Sequence, residues 1–235
     1  EEEDTLLEEM DRAWLRLDLD EVNAVEEMAK LLKRPRRPRL GHGIFSFTEA
    51  ARLTRLTPNR IREWFDYKTR PSMFTSDYDS VDGDRTLSFL DLIDVLIAGK
   101  LRGAGVSLQR LRRVYDRMKE QFGTHPFARN ILLTDGVRVF MKEAAGEGEH
   151  VFDVLSRQEA FPPIIEPYLK QLRYSEITQL AERWDIAQGI VVNPRIFFGK
   201  PVILESGQPT HIIARAYHAN GSNKRAVAAW YGVSE

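Results

Sequence analysis

Apolar positions between residues 47 and 122 recur in steps of three and four, which predicts a run of short amphipathic helices punctuated by caps. The stretch from Phe47 to Tyr67 reads FTEAARLTRLTPNRIREWFDY. Thr48 is the expected N-cap of a first helix carrying Ala50, Ala51 and Leu53. Thr57-Pro58 opens a second helix, with a hydroxyl cap followed by proline at the first helical position. Ala51 and Ile61 fall where a helix-turn-helix needs a small residue and an apolar one. The turn between them carries Arg55 where glycine is common. Either Arg55 takes a positive φ at a cost of about 1 kcal/mol, or the turn is built differently. Further on, Ser88 and Asp91 form a capping box for a helix with Leu92, Val95, Leu96 and Gly99 at helical spacing, ending at Gly103-Ala104-Gly105. Ser107 caps the next helix, whose stripe is Leu108, Leu111, Val114, Tyr115 and Met118 and which meets Gly123 and Pro126 after about four turns.

Outside this block the pattern changes character. Residues 1–32 place Leu6, Met10, Trp14 and Leu17 near one face, and Val22, Val25, Met28, Ala29 and Leu32 follow an Asp20 cap. Two readings stay open for this arm: a helical pair packed within its own protein, or a partner-binding helix anchored by Trp14. Pro35 and Pro38 exclude a continuous helix through Lys33–Leu40, which reads as a linker. Ile131–Met141 reads as a β-hairpin turning at Asp135-Gly136. SEITQLAERWDI is ambiguous between strand and helix. From Ile190 to Thr210, short apolar runs broken by Asn193-Pro194, Gly199, Gly207 and Pro209 predict two small strands with turns. Thr210 and Ser222 are expected to cap two further helices, HIIARAYHANG and NKRAVAAWYG, stopped by Gly221 and Gly232. The pattern gives four regions: 1–40, an acidic helical arm and basic linker; 44–123, the capped helices; 124–188, a connecting region with hairpin and helix; and 190–235, a second helix-turn-helix-like unit.

The overall charge of −1 over 235 residues excludes a generic polycation, but the charge is segregated. Residues 1–29 carry twelve acids and two arginines, residues 30–39 six bases and no acid, and residues 100–119 seven bases and one acid. Local basic stripes bind phosphate whatever the total. With no cysteine, neither a disulfide nor a thiolate metal sensor is available. The five histidines show no ligand spacing, and no cofactor or metal is expected. No apolar run approaches the length of a membrane span, so a cytoplasmic protein is the expectation.

An enzyme is the weakest reading. Asp77, Asp79, Asp82 and Asp84 lack the bidentate glutamate of a calcium loop, and Gly199-Lys200-Pro201 lacks the cradle of a P-loop. No nucleophile–base pair can be named. By contrast, the helix capped by Thr57 exposes Asn59, Arg60, Arg62, Glu63 and Tyr67, side chains suited to base edges and phosphates. An ordinary helical hairpin with a solvated basic face fits those residues equally well when they are taken alone.

The order of elements shifts that balance. A helix-turn-helix, a loop with Arg85, a capped helix, the turn LRGAGVSL and a further helix together resemble the MerR-type winged helix over roughly residues 44–120. That resemblance implies a recognition-helix role for Arg62 and a phosphate-holding role for Arg85. The acidic loop SDYDSVDGD and the short last helix depart from the family pattern. The sequence from Asn193 through FGKPVI and GQPT to AVAAWYGVS resembles the domain of unknown function 433 family. A winged helix followed by this module resembles VapB-type antitoxins. The fold class implied is mainly α with small β-hairpins, a MerR-like winged helix-turn-helix plus a C-terminal homeodomain-like helix-turn-helix module.

The resemblance further implies a PIN-domain ribonuclease toxin as partner, operator double-stranded DNA as ligand, and a homodimer or higher hetero-oligomer that represses its own operator. Such antitoxins commonly insert an arginine into the toxin's magnesium site. Arg34, Arg36, Arg37 and Arg39 in the linker, or Arg215 and Arg225 in the last module, are the candidates, with Trp14 as an apolar anchor. Trp230 is a second possible anchor, though a core position is the plainer expectation for it. The alternative is a free-standing MerR-like transcriptional regulator without a toxin partner.

Overall fold

The structure is a computed structural model and describes residues 36–66, 72–80, 85–130 and 161–234. Residues 1–36 and 37–235 are separate units, and the description below concerns the second. Trp14, Arg34, Tyr67 and the expected hairpin Ile131–Met141 lie outside the described residues.

Strand β1 (Phe45–Ser46) leads into helix α1 (Phe47–Thr54), and α2 (Pro58–Phe65) follows. Ser46, rather than Thr48, caps α1: it accepts from the Glu49 amide while the Glu49 carboxylate accepts from the Ser46 amide at 3.0 Å. The capping box starts the helix two residues earlier than the threonine signal suggests. Thr57 caps α2 with Pro58 in the first turn. Arg55 takes φ 60 as the left-handed cap of α1, so the tight turn is formed without glycine. Its strain is held by Ala51, whose carbonyl accepts from the Leu56 amide at 3.1 Å.

Strand β2 (Thr86–Leu87) pairs antiparallel with β1 and precedes α3 (Phe89–Gly103). The Ser88–Asp91 capping box is present as the sequence predicts. Helix α3 is the centre of this unit, with every residue from 91 to 98 buried. Gly99 lies where the Leu56 side chain meets this helix; an added Cβ would sit 2.9 Å from Leu56 Cδ1. Helix α4 (Leu108–Phe122) has its Ser107 cap and buries Leu111, Val114, Tyr115 and Met118. A 3-10 turn (Pro126–Ala128) folds back on α3 and α4, and Phe127 stacks edge-on against Tyr115.

After α5 (Phe161–Leu169) come β3 (Leu172–Tyr174), β4 (Ala181–Ala187), β5 (Ile190–Val192) and β6 (Pro201–Ile203). These form one four-stranded antiparallel sheet in chain order. The ambiguous segment is thus resolved as strand, and the sheet crosses the boundary expected between 188 and 190. Trp184 pairs opposite both Leu172 and Val192 and is buried between its neighbours. Helices α6 (Thr210–Ala219) and α7 (Lys224–Tyr231) close the chain. Their caps are Pro209 and Asn223 rather than Thr210 and Ser222, and Asn220 ends α6. The Asn223 side chain outcompetes Ser222 by accepting from the Ala226 amide at 3.1 Å. Gly232 ends α7 with φ 62. The fold is mixed, mostly α with small β elements.

Candidate nucleic-acid interface

Helix α2 presents the polar face that the sequence predicts. Ile61, Trp64 and Phe65 anchor it to the core, so Asn59, Arg60, Arg62 and Glu63 must face outward. Thr57 Oγ1 accepts from the Arg60 amide at 3.3 Å, which fixes the first turn. Arg62 Nη1 donates to Asn59 Oδ1 at 3.0 Å, and the guanidinium lies 5.9 Å from the Phe47 ring centroid. Two exposed groups able to address a base edge are therefore held together by a hydrogen bond and an aromatic shelf.

Arg85 is placed differently from its neighbours on α2. Its guanidinium donates to the Phe65 carbonyl at 3.1 Å and pairs with Asp66 at 3.5 Å. It thereby neutralises the negative C-terminal end of α2. Arg37 and Arg39 of the linker are exposed, as are Arg215 and Arg225 of the last helical pair; Arg36 is exposed as well. Trp230 is 63% exposed, against the core position its apolar surroundings suggested. Val227 and Ala228 take the buried face of α7, and the helical turn carries residue 230 away from them.

The structure also assembles a buried polar cluster that the sequence did not reveal. Asp91 and Asp94 lie on α3, His125 precedes the 3-10 turn, and Asp77 comes from the strap before β2. Asp91, Asp94 and His125 are all buried. His125 Nδ1 bonds Asp94 Oδ2 at 2.9 Å, and Nε2 bonds Asp77 Oδ1 at 3.0 Å. Asp94 also accepts from the Tyr115 hydroxyl at 3.0 Å and the Phe127 amide at 3.1 Å. Asp91 Oδ2 accepts from the amides of Ser88 and Asp77 and from the Ser76 hydroxyl. Ser88 Oγ donates to Asp77 at 2.6 Å.

Burial alone would lower the His125 imidazole, but its hydrogen bonds to Asp77 and Asp94 push it up to about 10. Burial and the Asp77 charge push Asp91 up to about 6. Asp77 lies below its usual value because its bond to His125 outweighs its own burial. Asp77, Asp91 and His125 offer ligand atoms within 4.8 Å of one another, the spacing of a cation site. Both ring nitrogens are already engaged by carboxylates, however, so the cluster is satisfied as an ionic knot. It ties the strap before β2, α3 and the segment after α4 to one another. A sequence signal did exist: two aspartates three apart within the apolar run FLDLIDVLIA.

A third constellation joins the last module to α1. Lys200 pairs with Glu49, the same glutamate that closes the α1 capping box. Burial would raise the Glu49 carboxyl, but the Lys200 and Ser46 hydrogen bonds hold it below its usual value. Gly199 lies against the Phe45 ring, and the Ile44 amide donates to the Phe198 carbonyl at 2.8 Å. The FGKP segment is thus a clasp on β1 and α1.

No family model matches the chain. A Mycobacterium tuberculosis protein named "Putative antitoxin VapB45" is 28% identical over 214 residues, which cover 81% of this chain and 89% of that protein. The crystal structure of Rv2018 from the same organism superposes with a TM-score of 0.71 at 26% identity, covering 84% of this chain and 96% of that one. Both similarities run through most of the chain. Among the described residues no helix is long and apolar enough to cross a membrane.

Proposed function

We propose that this chain is a cytoplasmic, non-enzymatic antitoxin of the VapB type that binds operator DNA through α2 and inhibits a PIN-domain ribonuclease toxin. The observation that carries the DNA reading is the exposed array Asn59, Arg60 and Arg62, held in place by the Asn59–Arg62 hydrogen bond. The antitoxin reading draws on the similarity to the M. tuberculosis protein so named.

A single helix of this length reads only a few base pairs, so the protein acts on a palindromic operator as a dimer. A duplex selected from a random library by the full-length protein supplies the probe. Arg60→Ala and Arg62→Ala are expected to weaken binding by about 1–3 kcal/mol each and to relax base preference at the positions they touch. Undiminished affinity in the double variant across a salt series removes α2 as the reading element.

On the toxin side, Trp230 is the apolar anchor, since an exposed tryptophan is a typical hot spot. A linker arginine, Arg36, Arg37 or Arg39, enters the carboxylate-lined magnesium site, where guanidinium–carboxylate pairing is strong once water is excluded. Trp230→Ala is expected to weaken toxin binding by about 2 kcal/mol, roughly thirty-fold, without lowering the melting temperature. Co-purification with the product of the adjacent gene, followed by a ribonuclease assay, tests the pairing. A neighbour that is no nuclease, or whose activity equimolar protein leaves intact, leaves the free-standing DNA-binding regulator as the function.

A further inference from the structure

We propose that the helical pair α6–α7 is a second DNA-contacting element, which grips the phosphate backbone beside the bases read by α2. The inference rests on the DNA-binding reading above and takes Arg215 and Arg225 away from the toxin.

The first support is charge. Residues 206–234 contain no acid, whereas they hold Arg215, Lys224 and Arg225 with His211 and His218. Arg215, Lys224 and Arg225 are exposed, and the described residues include no ion pair to any of them. Other bases of the unit do find acids, among them Arg85 with Asp66, Lys170 with Glu166, Arg173 and Arg183 with Asp185, and Lys200 with Glu49, whereas among the described residues Arg60 of α2 shares the unpaired state of Arg215, Lys224 and Arg225.

The second support is position on the helix. Lys224 and Arg225 occupy the first turn of α7, which contains no acid. Cations there oppose the positive end of the helix dipole, so this arrangement costs stability until an anion arrives. A phosphate at that turn meets free amides and two side-chain cations together. Arg225 and Trp230 are five residues apart, about 140° around the helix, so a cationic edge and an apolar edge serve different ligands.

The third support is continuity with α1, the helix that packs against α2. Arg52 of α1 and His211 of α6 line one cleft of ≈ 410 Å³, floored by Phe45, Leu53 and Pro201. The Glu49–Lys200 pair and the Gly199–Phe45 packing fasten the module there. A winged helix commonly takes its flanking phosphate through the wing. Here the strap before β2 is acidic and Arg85 is bound to Asp66 and Phe65. The backbone grip has moved from the wing to the acid-free helical pair.

The test uses the full-length chain and the selected duplex placed centrally in a longer fragment. Arg215→Gln/Lys224→Gln/Arg225→Gln is expected to shorten the hydroxyl-radical footprint at the flanks. It should reduce the slope of log K against log salt by about 2–3, near one unit for each phosphate that is no longer neutralised. Base preference stays as in the parent protein. Arg60→Ala/Arg62→Ala shows the reverse: base preference is lost while a salt-dependent residual affinity persists, so failure of the two readings is distinguishable. Neutral methylphosphonates at the flanking phosphates should reduce parent binding to the level of the triple variant and leave the triple variant unaffected. That arm remains decisive if the triple variant loses helix content. An unchanged footprint and salt slope overturns the proposal, as does a triple variant that binds DNA as the parent does but no longer inhibits the ribonuclease, which assigns this edge to a protein partner.

Discussion

Replacing His125 with alanine is expected to cost about 3–5 kcal/mol of folding stability, because it strips the cation from buried carboxylates. Asp94 would keep Tyr115 and the Phe127 amide as partners but lose its charge partner, and Asp77 would keep the Ser88 hydroxyl but lose the imidazolium. The result should be a sharp fall in the urea midpoint of the full chain with an unchanged slope. The pH dependence provides a second signature. The His125 pKa rises on folding from 6.5 to about 10, so its stabilisation is complete below about 6.5 and is lost as pH climbs toward 10. Asp77 shifts the opposite way: its contribution is present above 3.8 and disappears as acid protonates it. Asp91 opposes folding as it ionises, since it binds its proton more tightly in the folded state, up to about 6. Stability from these three groups should therefore be greatest on the acid side, just above the ordinary Asp77 value of 3.8, and decline further between about 6.5 and 10 as His125 loses its proton. In His125→Gln, which keeps the ring-sized volume without the charge, that alkaline decline should flatten. Parallel profiles for parent and variant between about pH 7 and 10 would show that the imidazolium does not hold the knot.

Features set by neighbours in sequence were legible, while those set by distant partners were not. Thr57-Pro58, the Ser88–Asp91 box, the Ser107 cap and the Gly232 stop all depend on side chains within four residues, and each is found in the structure. Where two local signals competed, the stronger hydrogen-bond geometry won: Ser46 with Glu49 over Thr48, and Asn223 over Ser222. The charge knot could not be read, because His125 meets Asp94 and Asp77 across 31 and 48 residues. The sheet was only half visible for a similar reason. Three of its four strands have only three residues, too short to show alternation, and bulges at Arg173/Tyr174 and Asp185/Ala187 interrupt the register. Trp230 was misjudged because AVAAWYG looks apolar all round. Val227 and Ala228 suffice to seat α7, and the ring is left in solvent. Of the candidate interface, Asn59, Arg60 and Arg62 could be named from the helix start alone; that Arg85 would pair with Asp66 and the Phe65 carbonyl at the end of α2 needed the fold.

Gly199→Ala is expected to destabilise the chain by about 2–5 kcal/mol, although it adds only one methyl group. Two costs combine. Gly199 has φ +87, where a side chain meets strain of about 1–2 kcal/mol. The added Cβ would also lie 2.5 Å from Phe45 Cζ, and forcing a carbon into a packed core costs about 1–3 kcal/mol. Phe45 cannot swing away, because it is fully buried and its backbone is fixed in β1 opposite Leu87. The next residue, Ser46, caps α1, and Glu49 links that cap to Lys200. A displaced Phe45 thus disturbs the start of the helix against which α2 packs. The variant should lose DNA affinity along with melting temperature, though Gly199 faces no DNA in the proposed complex. Lys200→Ala separates the steric part of the clasp from the ionic part. Both partners of that pair are about one-third exposed, so removing it should cost no more than about 1 kcal/mol. Phe45→Leu in the Gly199→Ala background should recover part of the loss by making room for the methyl group. The clasp is the wrong explanation if Gly199→Ala melts with the parent protein, or if Phe45→Leu adds its full cost to the glycine change with no coupling between the two.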